Sequence, residues 1–165
     1  MNGAIDRTAQ MDDMTWDEDR KLRVKDALRR RAEAALASAR EAVADQRGAA
    51  ELDPDDVHDT DGLSQSDAGG DLVRLFGGIV ARRQADLALV EALDVTPTQV
   101  VADGSIVSFG GDHYVVGVAA EAFDVDGTTL EGIAADAPLH AAIAGLKAGD
   151  SFTINGAEHR LDLVV

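Results

Sequence analysis

From Trp16 to Gln46 the chain runs for 31 residues without a glycine or a proline, and most of them are Ala, Arg, Glu or Leu. These are strong helix formers, so the run predicts one helix about 46 Å long. Val24, Leu28, Ala32 and Leu36 form one i,i+4 row, and Ala35, Ala39 and Val43 form the adjoining row. Together they make a single narrow apolar stripe. A helix of this length with one stripe needs a partner along it.

The partner follows a break. Arg47-Gly48 opens a polar stretch that ends near Gly69-Gly70 and contains Asp53-Pro54 and Asp61-Gly62, both turn or helix-start signals. Helical spacing returns with Leu72, Phe76, Ile79, Leu87, Val90 and Leu93. Helices over 16–46 and 70–93 therefore read as an antiparallel hairpin with its tip around 48–69. Gly77-Gly78 weakens the second helix and predicts either close approach to the alanine-rich first helix or a bend. Arg82-Arg83 interrupts the second stripe and predicts a local polar break.

At Asp94-Val95-Thr96-Pro97 alanine-rich helix gives way to short β-prone runs. Ser105–Phe109 and Tyr114–Val118 flank the turn Gly110-Gly111-Asp112, and Thr128-Thr129-Leu130 is a further strand. Pro138 to Leu146 reads as a short helix with Asp136 as its cap. Ser151–Ile154, Asn155-Gly156 and His159–Val165 read as a closing hairpin, since Asn-Gly suits the left-handed turn such hairpins favour. The expected organisation is α+β: a disordered tail over 1–15, a coiled-coil hairpin over 16–94, and a mostly antiparallel β domain with one short helix over 95–165.

Against 31 Asp and Glu stand 15 Lys and Arg, a formal net charge of −16. That excludes a general nucleic-acid coat. The charge is segregated. Residues 20–31 hold seven bases (Arg20, Lys21, Arg23, Lys25, Arg29, Arg30, Arg31) and one acid, Asp26. Residues 51–71 hold eight acids (Glu51, Asp53, Asp55, Asp56, Asp59, Asp61, Asp67, Asp71) and no base. Residues 96–165 hold ten acids against Lys147 and Arg160. The basic run fits either an outer helix face or contact with RNA phosphates.

The absence of cysteine removes disulfides and thiolate metal sites. No apolar run approaches the roughly 20 residues of a membrane span, and Met1–Asp6 lacks the regions of a signal peptide. The expectation is a cytoplasmic protein without membrane contact. Asp59-Thr60-Asp61-Gly62 and Asp124-Val125-Asp126-Gly127 match part of a calcium loop. The first and last ligand positions would be Val57 and Ala68, or Ala122 and Ile133, and none of these can bind calcium. His58 sits alone among the aspartates, and His113, His140 and His159 show no zinc spacing. No nucleophile triad or phosphate loop is present.

The segment Glu131-Gly132-Ile133-Ala134-Ala135-Asp136-Ala137-Pro138-Leu139-His140-Ala141-Ala142-Ile143-Ala144-Gly145-Leu146-Lys147-Ala148-Gly149-Asp150 resembles the carboxy-terminal signature of the Gre transcription factors. That family shows a pattern close to Gly-Ile-Ser-x-x-Ser-Pro-Leu-Gly-x-Ala-Leu-Leu-Gly-Lys-x-x-Gly-Asp. Asp103-Gly104-Ser105-Ile106-Val107 is similarly close to its Pro-Gly-Ser-x-Val run. The resemblance covers 98–165 in sequence and 16–165 in plan. Departures are His140 where the family prefers glycine, and Leu146 after Gly145 where lysine is common.

The resemblance implies an FKBP-like domain that docks on bacterial RNA polymerase at the rim of its secondary channel, with Asp136, Pro138 and Leu139 in the docking surface. It implies a monomer whose hairpin enters the channel, touching nascent RNA only indirectly. In cleavage members, tip carboxylates help hold a second magnesium ion and position water, so that polymerase hydrolyses its own backtracked RNA. The factor is then no enzyme and has no cofactor beyond Mg2+ shared with the polymerase active site. Here the candidate magnesium ligands are Asp55, Asp56, Asp59 and Asp61. Asp59 and Asp61 come first as the catalytic pair, because carboxylates at i and i+2 can converge where Gly62 permits a turn. Cleavage members carry a run like Asp-Leu-Ser-Glu-Asn, whereas this chain has Asp61-Gly62-Leu63-Ser64-Gln65, with a neutral amide for the glutamate. Gln65 cannot act as an anionic ligand, which tilts the expectation towards inhibition or modulation over cleavage. The alternative is an acidic coiled-coil interaction module unrelated to transcription.

Overall fold

The computed structural model describes residues 15–51 and 62–165, with the backbone alone for 50, 51 and 62–69. The expected tail, apart from Thr15, and the segment 52–61 lie outside the described residues. Two long helices, α1 (Glu18–Glu51) and α2 (Gly62–Ala92), come first. Strands β1 (Ile106–Phe109), β2 (Asp112–Gly117), β3 (Ala120–Val125) and β4 (Thr128–Ala134) follow. Then come α3 (Pro138–Ile143), β5 (Ser151–Ile154), β6 (Ala157–Arg160) and β7 (Leu163–Val164). This is the α+β order of a helical pair followed by a sheet domain. No described helix is long and apolar enough to cross a membrane.

The Asp17 side chain caps α1 by accepting the Arg20 N–H at 2.8 Å, and Glu18 and Asp19 oppose the helix dipole in its first turn. The α1 stripe is as read: Val24, Leu28 and Leu36 are buried, and Ala32, Ala35, Ala39 and Val43 are half-buried. The α2 stripe is as read at Phe76, Leu87, Val90 and, just past the helix, Leu93, and needs correction at Leu72 and Ile79. Its covered face is Phe76, Val80, Leu87 and Val90, while Leu72 and Ile79 are exposed. Residues 76, 80, 87 and 90 share an arc of about 80°; Ile79 lies at its edge and Leu72 one turn nearer the linker.

Lys25 Nζ donates to the Leu93 carbonyl at 2.7 Å, so the start of α1 lies beside the end of α2 and the helices run antiparallel. No base lies in the last turn of α2; Lys25 supplies the positive charge that its carboxyl end favours. Two further expectations change. Both helices overrun their expected ends and take in 48–51 and 62–69 of the expected loop; an isolated Gly48 costs a propagated helix only about 1 kcal/mol. The polar break expected at Arg82-Arg83 is there: residues 81–85 are all exposed between half-buried Val80 and Leu87, while the helix itself continues, arginine being a good helix former. Helix α2 also continues through Gly77-Gly78, where an added Cβ would meet nothing within 4 Å, so no close approach to α1 explains them.

The chain divides into two compact units, residues 15–26 with Leu93–Val165 and, separately, Ala27–Ala92. The first two turns of α1 thus belong with the sheet. The five-stranded sheet has the order β3-β4-β2-β1-β7, antiparallel except for β2 with β4, and β5 and β6 form a separate ribbon. Val101, Val107, Phe109, Val116, Ile133, Ile143, Phe152, Leu161 and Val164 form the main core.

The sequence reading missed β3, and it joined β6 and β7, which serve different sheets. Fully buried Leu161 and the Asp162 N–H to the Ser108 carbonyl turn the chain between those two strands. Turns Gly110-Gly111, Asp126-Gly127 and Asn155-Gly156 carry φ of 62° and 88°, 50° and 77°, and 51° and 77°. Each is the left-handed pair a two-residue hairpin needs. Helix α3 is also shorter than expected. Its N-cap is Ala137, with no side-chain cap bond, so Asp136 does not cap it; Pro138 opens the helix, and Gly145 at φ 78° turns the chain after Ile143.

Candidate functional site

On one sheet face the start of α1 is clamped down by charge and an aromatic ring. Trp16, Arg20, Lys21 and Val24 are buried. The Trp16 ring lies 5.9 Å from His113 on β2, and the Arg20 guanidinium sits 3.9 Å over the Trp16 ring. Arg20 Nη2 donates to Thr128 Oγ1 at 2.7 Å. Asp126, in the β3–β4 turn, accepts from Arg23 Nε at 2.8 Å and lies 4.0 Å from Arg20 Nε. Arg20 Nε and Nη1 are buried without a hydrogen-bond partner. The ring face and the Asp126 charge partly offset that desolvation.

Lys21 is fully enclosed, its Nζ 3.5 Å from the Thr96 carbonyl. Burial lowers its pKa to about 8, against an opposing pull from Asp94. Asp94 is itself held below the ordinary carboxylate range, chiefly by hydrogen bonds from Thr96, and Asp126 holds Arg23 above its usual value. Sequence reasoning missed this clamp because it treated 20–31 as one basic run. The available signal was Trp16 one turn before Arg20, an i,i+4 cation–aromatic spacing.

The proposed docking residues gather at the start of α3. Asp136 and Pro138 are exposed, while Leu139 is half-buried and packs on the core, so the three do not form one free surface. Beside them His140 Nε2 lies 2.8 Å from Asp103 Oδ1 and joins α3 to the loop before β1. This pair was also missed; His140 stood out only as a departure from glycine.

Much of the 131–150 signature has a structural task. A Cβ at Gly132 would collide with the Val118 carbonyl oxygen and the Ala120 nitrogen, where β3 is irregular. Asp150 Oδ2 accepts the Lys147 N–H at 2.9 Å, and Gly149 and Asp150 pair with Leu161. A Cβ at Gly104 would collide with the Asp94 carbonyl.

Asp55, Asp56, Asp59 and Asp61 lie outside the described residues, and the side chain of Gln65 is not described. Among the described residues no three His, Asp or Glu side chains gather as a metal site.

No family model matches the chain. No curated protein matches it. Solved structures similar to it include one of the transcription factor Gfh1, at 21% identity and a TM-score of 0.32, over 84% of this chain and 93% of that one. Another is the GreA factor homolog 1 (Gfh1) protein of Thermus thermophilus, at 19% identity and TM-score 0.31, over 83% and 94%. A third is Gfh1 of Thermus aquaticus, at 19% and 0.29, over 84% and 94%.

Proposed function

We propose that this protein regulates RNA polymerase in the manner of the Gre factors, with an FKBP-like carboxy-terminal domain docked at the secondary channel and the helical pair inserted into it. The carrying observation is that the 131–150 signature folds as one connected piece, β4–α3–β5, with Gly132, Pro138, Gly145 and Asp150 each performing a definite backbone task. A plain coiled-coil module needs no such piece. The long paired helices, and the acids gathered at 51–71 from the end of α1 to the first turns of α2, fit a probe that brings carboxylates to a metal-bearing site. Aspartate oxygens are hard donors suited to magnesium, which takes one or two carboxylates alongside phosphate and water. In this reading the metal belongs to polymerase, and Asp59 and Asp61, with Asp55 and Asp56 beside them, supply the charge. Gln65 favours inhibition or modulation over efficient cleavage.

Co-elution with bacterial core RNA polymerase tests the partner. Asp136→Lys with Pro138→Ala changes two exposed positions and is expected to weaken binding about tenfold, the loss of a small docking contact. Binding by the parent that survives this change places the docking surface elsewhere, and no binding by the parent removes the reading. A stalled, backtracked complex tests the tip. Slowed synthesis without RNA shortening, relieved by Asp59→Asn and Asp61→Asn, is expected. Shortening that those changes abolish would keep the residues and reverse the outcome.

A further inference from the structure

We infer that α2 carries a self-association face on which a second copy of this chain docks, the two α2 helices antiparallel about a two-fold axis. The inference is independent of the polymerase reading and rests on the Ala27–Ala92 unit alone. Helix α2 exposes Leu72, Val73, Leu75 and Ile79; Leu75, the most open at 61%, is the one of these on the proposed face. At 100° per residue, Asp71, Leu75, Gly78 and Arg82 fall within an arc of about 60°, well away from the covered Phe76–Val80 face. All four are exposed, and a Cβ at Gly78 would meet nothing within 4 Å. Mid-helix glycine destabilises a helix, and nothing described within the chain uses the space it leaves.

The order of Asp71, Leu75, Gly78 and Arg82 is its own complement when reversed. In an antiparallel pair centred between the levels of Phe76 and Gly77, residue 71 of one copy faces 82 of the other, and 75 faces 78. Leu75 of each copy then enters the gap over Gly78 of its mate, and Asp71 of each meets Arg82, twice over. This is the isologous contact of a two-fold dimer, one patch serving both sides. Among the described residues Asp71 makes a solvent-exposed pair with Arg74 at 3.3 Å, so its charge can be shared. A purely apolar surface would strand both charges. A second copy satisfies Asp71, Leu75, Gly78 and Arg82 together.

Sedimentation equilibrium of the full chain, over a range of concentrations, tests this. The weight-average mass should rise from 17.3 kDa towards twice that value. Leu75→Glu, at an exposed position, should weaken association at least about tenfold with helicity unchanged. Asp71→Arg and Arg82→Asp should each weaken self-association by about tenfold, because each sets like charges opposite one another twice. Mixed together, the two single variants should associate as the parent does, since every contact then joins opposite signs. A parent that stays monomeric overturns the inference. So does a Leu75→Glu chain that associates like the parent, or a mixture of the two charge variants that associates no better than either alone.

Discussion

A methyl group added at Gly104 or Gly132 would strike backbone, whereas one added at Gly77 or Gly78 would strike nothing. The contrast separates the two units. In the sheet unit, strands and loops approach so closely that two glycines are dictated by space, and at Gly104 by a φ of 93° as well. In the helical unit two glycines sit mid-helix with open surroundings, where the fold as described gains nothing from them. Sequence alone makes all four look alike. Only the neighbouring backbone tells a required glycine from an optional one.

The largest expected effect tests the tight side of that comparison. Gly104→Ala and Gly132→Ala should each cost the sheet unit more than about 3 kcal/mol, because backbone atoms cannot move aside as side-chain ends can. Trp16 is the chain's one tryptophan and is buried with the sheet unit, so its fluorescence during denaturant unfolding reports that unit. A loss below about 1 kcal/mol at either site would show that the backbone there yields, and the contrast would fail.

Next in size is the pH response of the clamp. Lys21 titrates near 8 when folded and near 10.4 when unfolded, so between these values the unfolded chain binds more protons and stability rises with pH. The cost of burying the charged amine is fully present below about pH 8 and is relieved by about pH 10.5, on the order of 3 kcal/mol. Lys21→Met should flatten this rise and raise stability at pH 7. Equal slopes for parent and variant across pH 8–10.5, followed by Trp16 fluorescence, would refute the assignment.

The loose side gives a smaller effect of opposite sign. Gly77→Ala and Gly78→Ala should each stabilise the helical unit by about 0.5–1 kcal/mol, read by far-ultraviolet circular dichroism at high dilution, where any self-association is absent. Destabilisation by either would mean that the helix needs glycine there after all.

These cases also mark how far sequence carries. The long first helix and its stripe were legible because 3.6-residue periodicity over many turns has no competing explanation. Two of the three tight hairpins were legible from Gly110-Gly111 and Asn155-Gly156. Asp126-Gly127 carries the same turn signal inside a partial calcium-loop match, which masks β3 in the sequence. The parallel pairing of β2 with β4 is non-local, and no short pattern encodes it. The clamp was hidden for a related reason. Lys21 and Arg20 lie in a run of bases that composition assigns to solvent, and only the sheet arriving from about a hundred residues later, at Asp126 and Thr128, makes them interior. His140 with Asp103 is the same kind of pair, distant in sequence and joined by the fold.

The smallest expected effect asks which arginine of the clamp depends on Asp126. Arg23 makes the shorter contact, 2.8 Å, but its side chain is 54% exposed; Arg20 is 4.0 Å away and 5% exposed. Asp126 sits at φ 50° in a two-residue turn that asparagine accepts equally well, so Asp126→Asn removes the charge and leaves the turn. If the ion pair with Arg23 is all that is lost, the cost should be about 0.5–1 kcal/mol and should shrink with added salt, as for other exposed pairs. Arg20 would keep its Thr128 hydrogen bond and its place over Trp16. A loss of about 3 kcal/mol that salt does not change would instead show the buried Arg20 charge relying on Asp126 across 4.0 Å. Such a result would make the sheet unit's hold on α1 electrostatic at its centre, whereas the small, salt-sensitive loss leaves the Trp16 ring and the buried apolar side chains as what fixes the helix to the sheet.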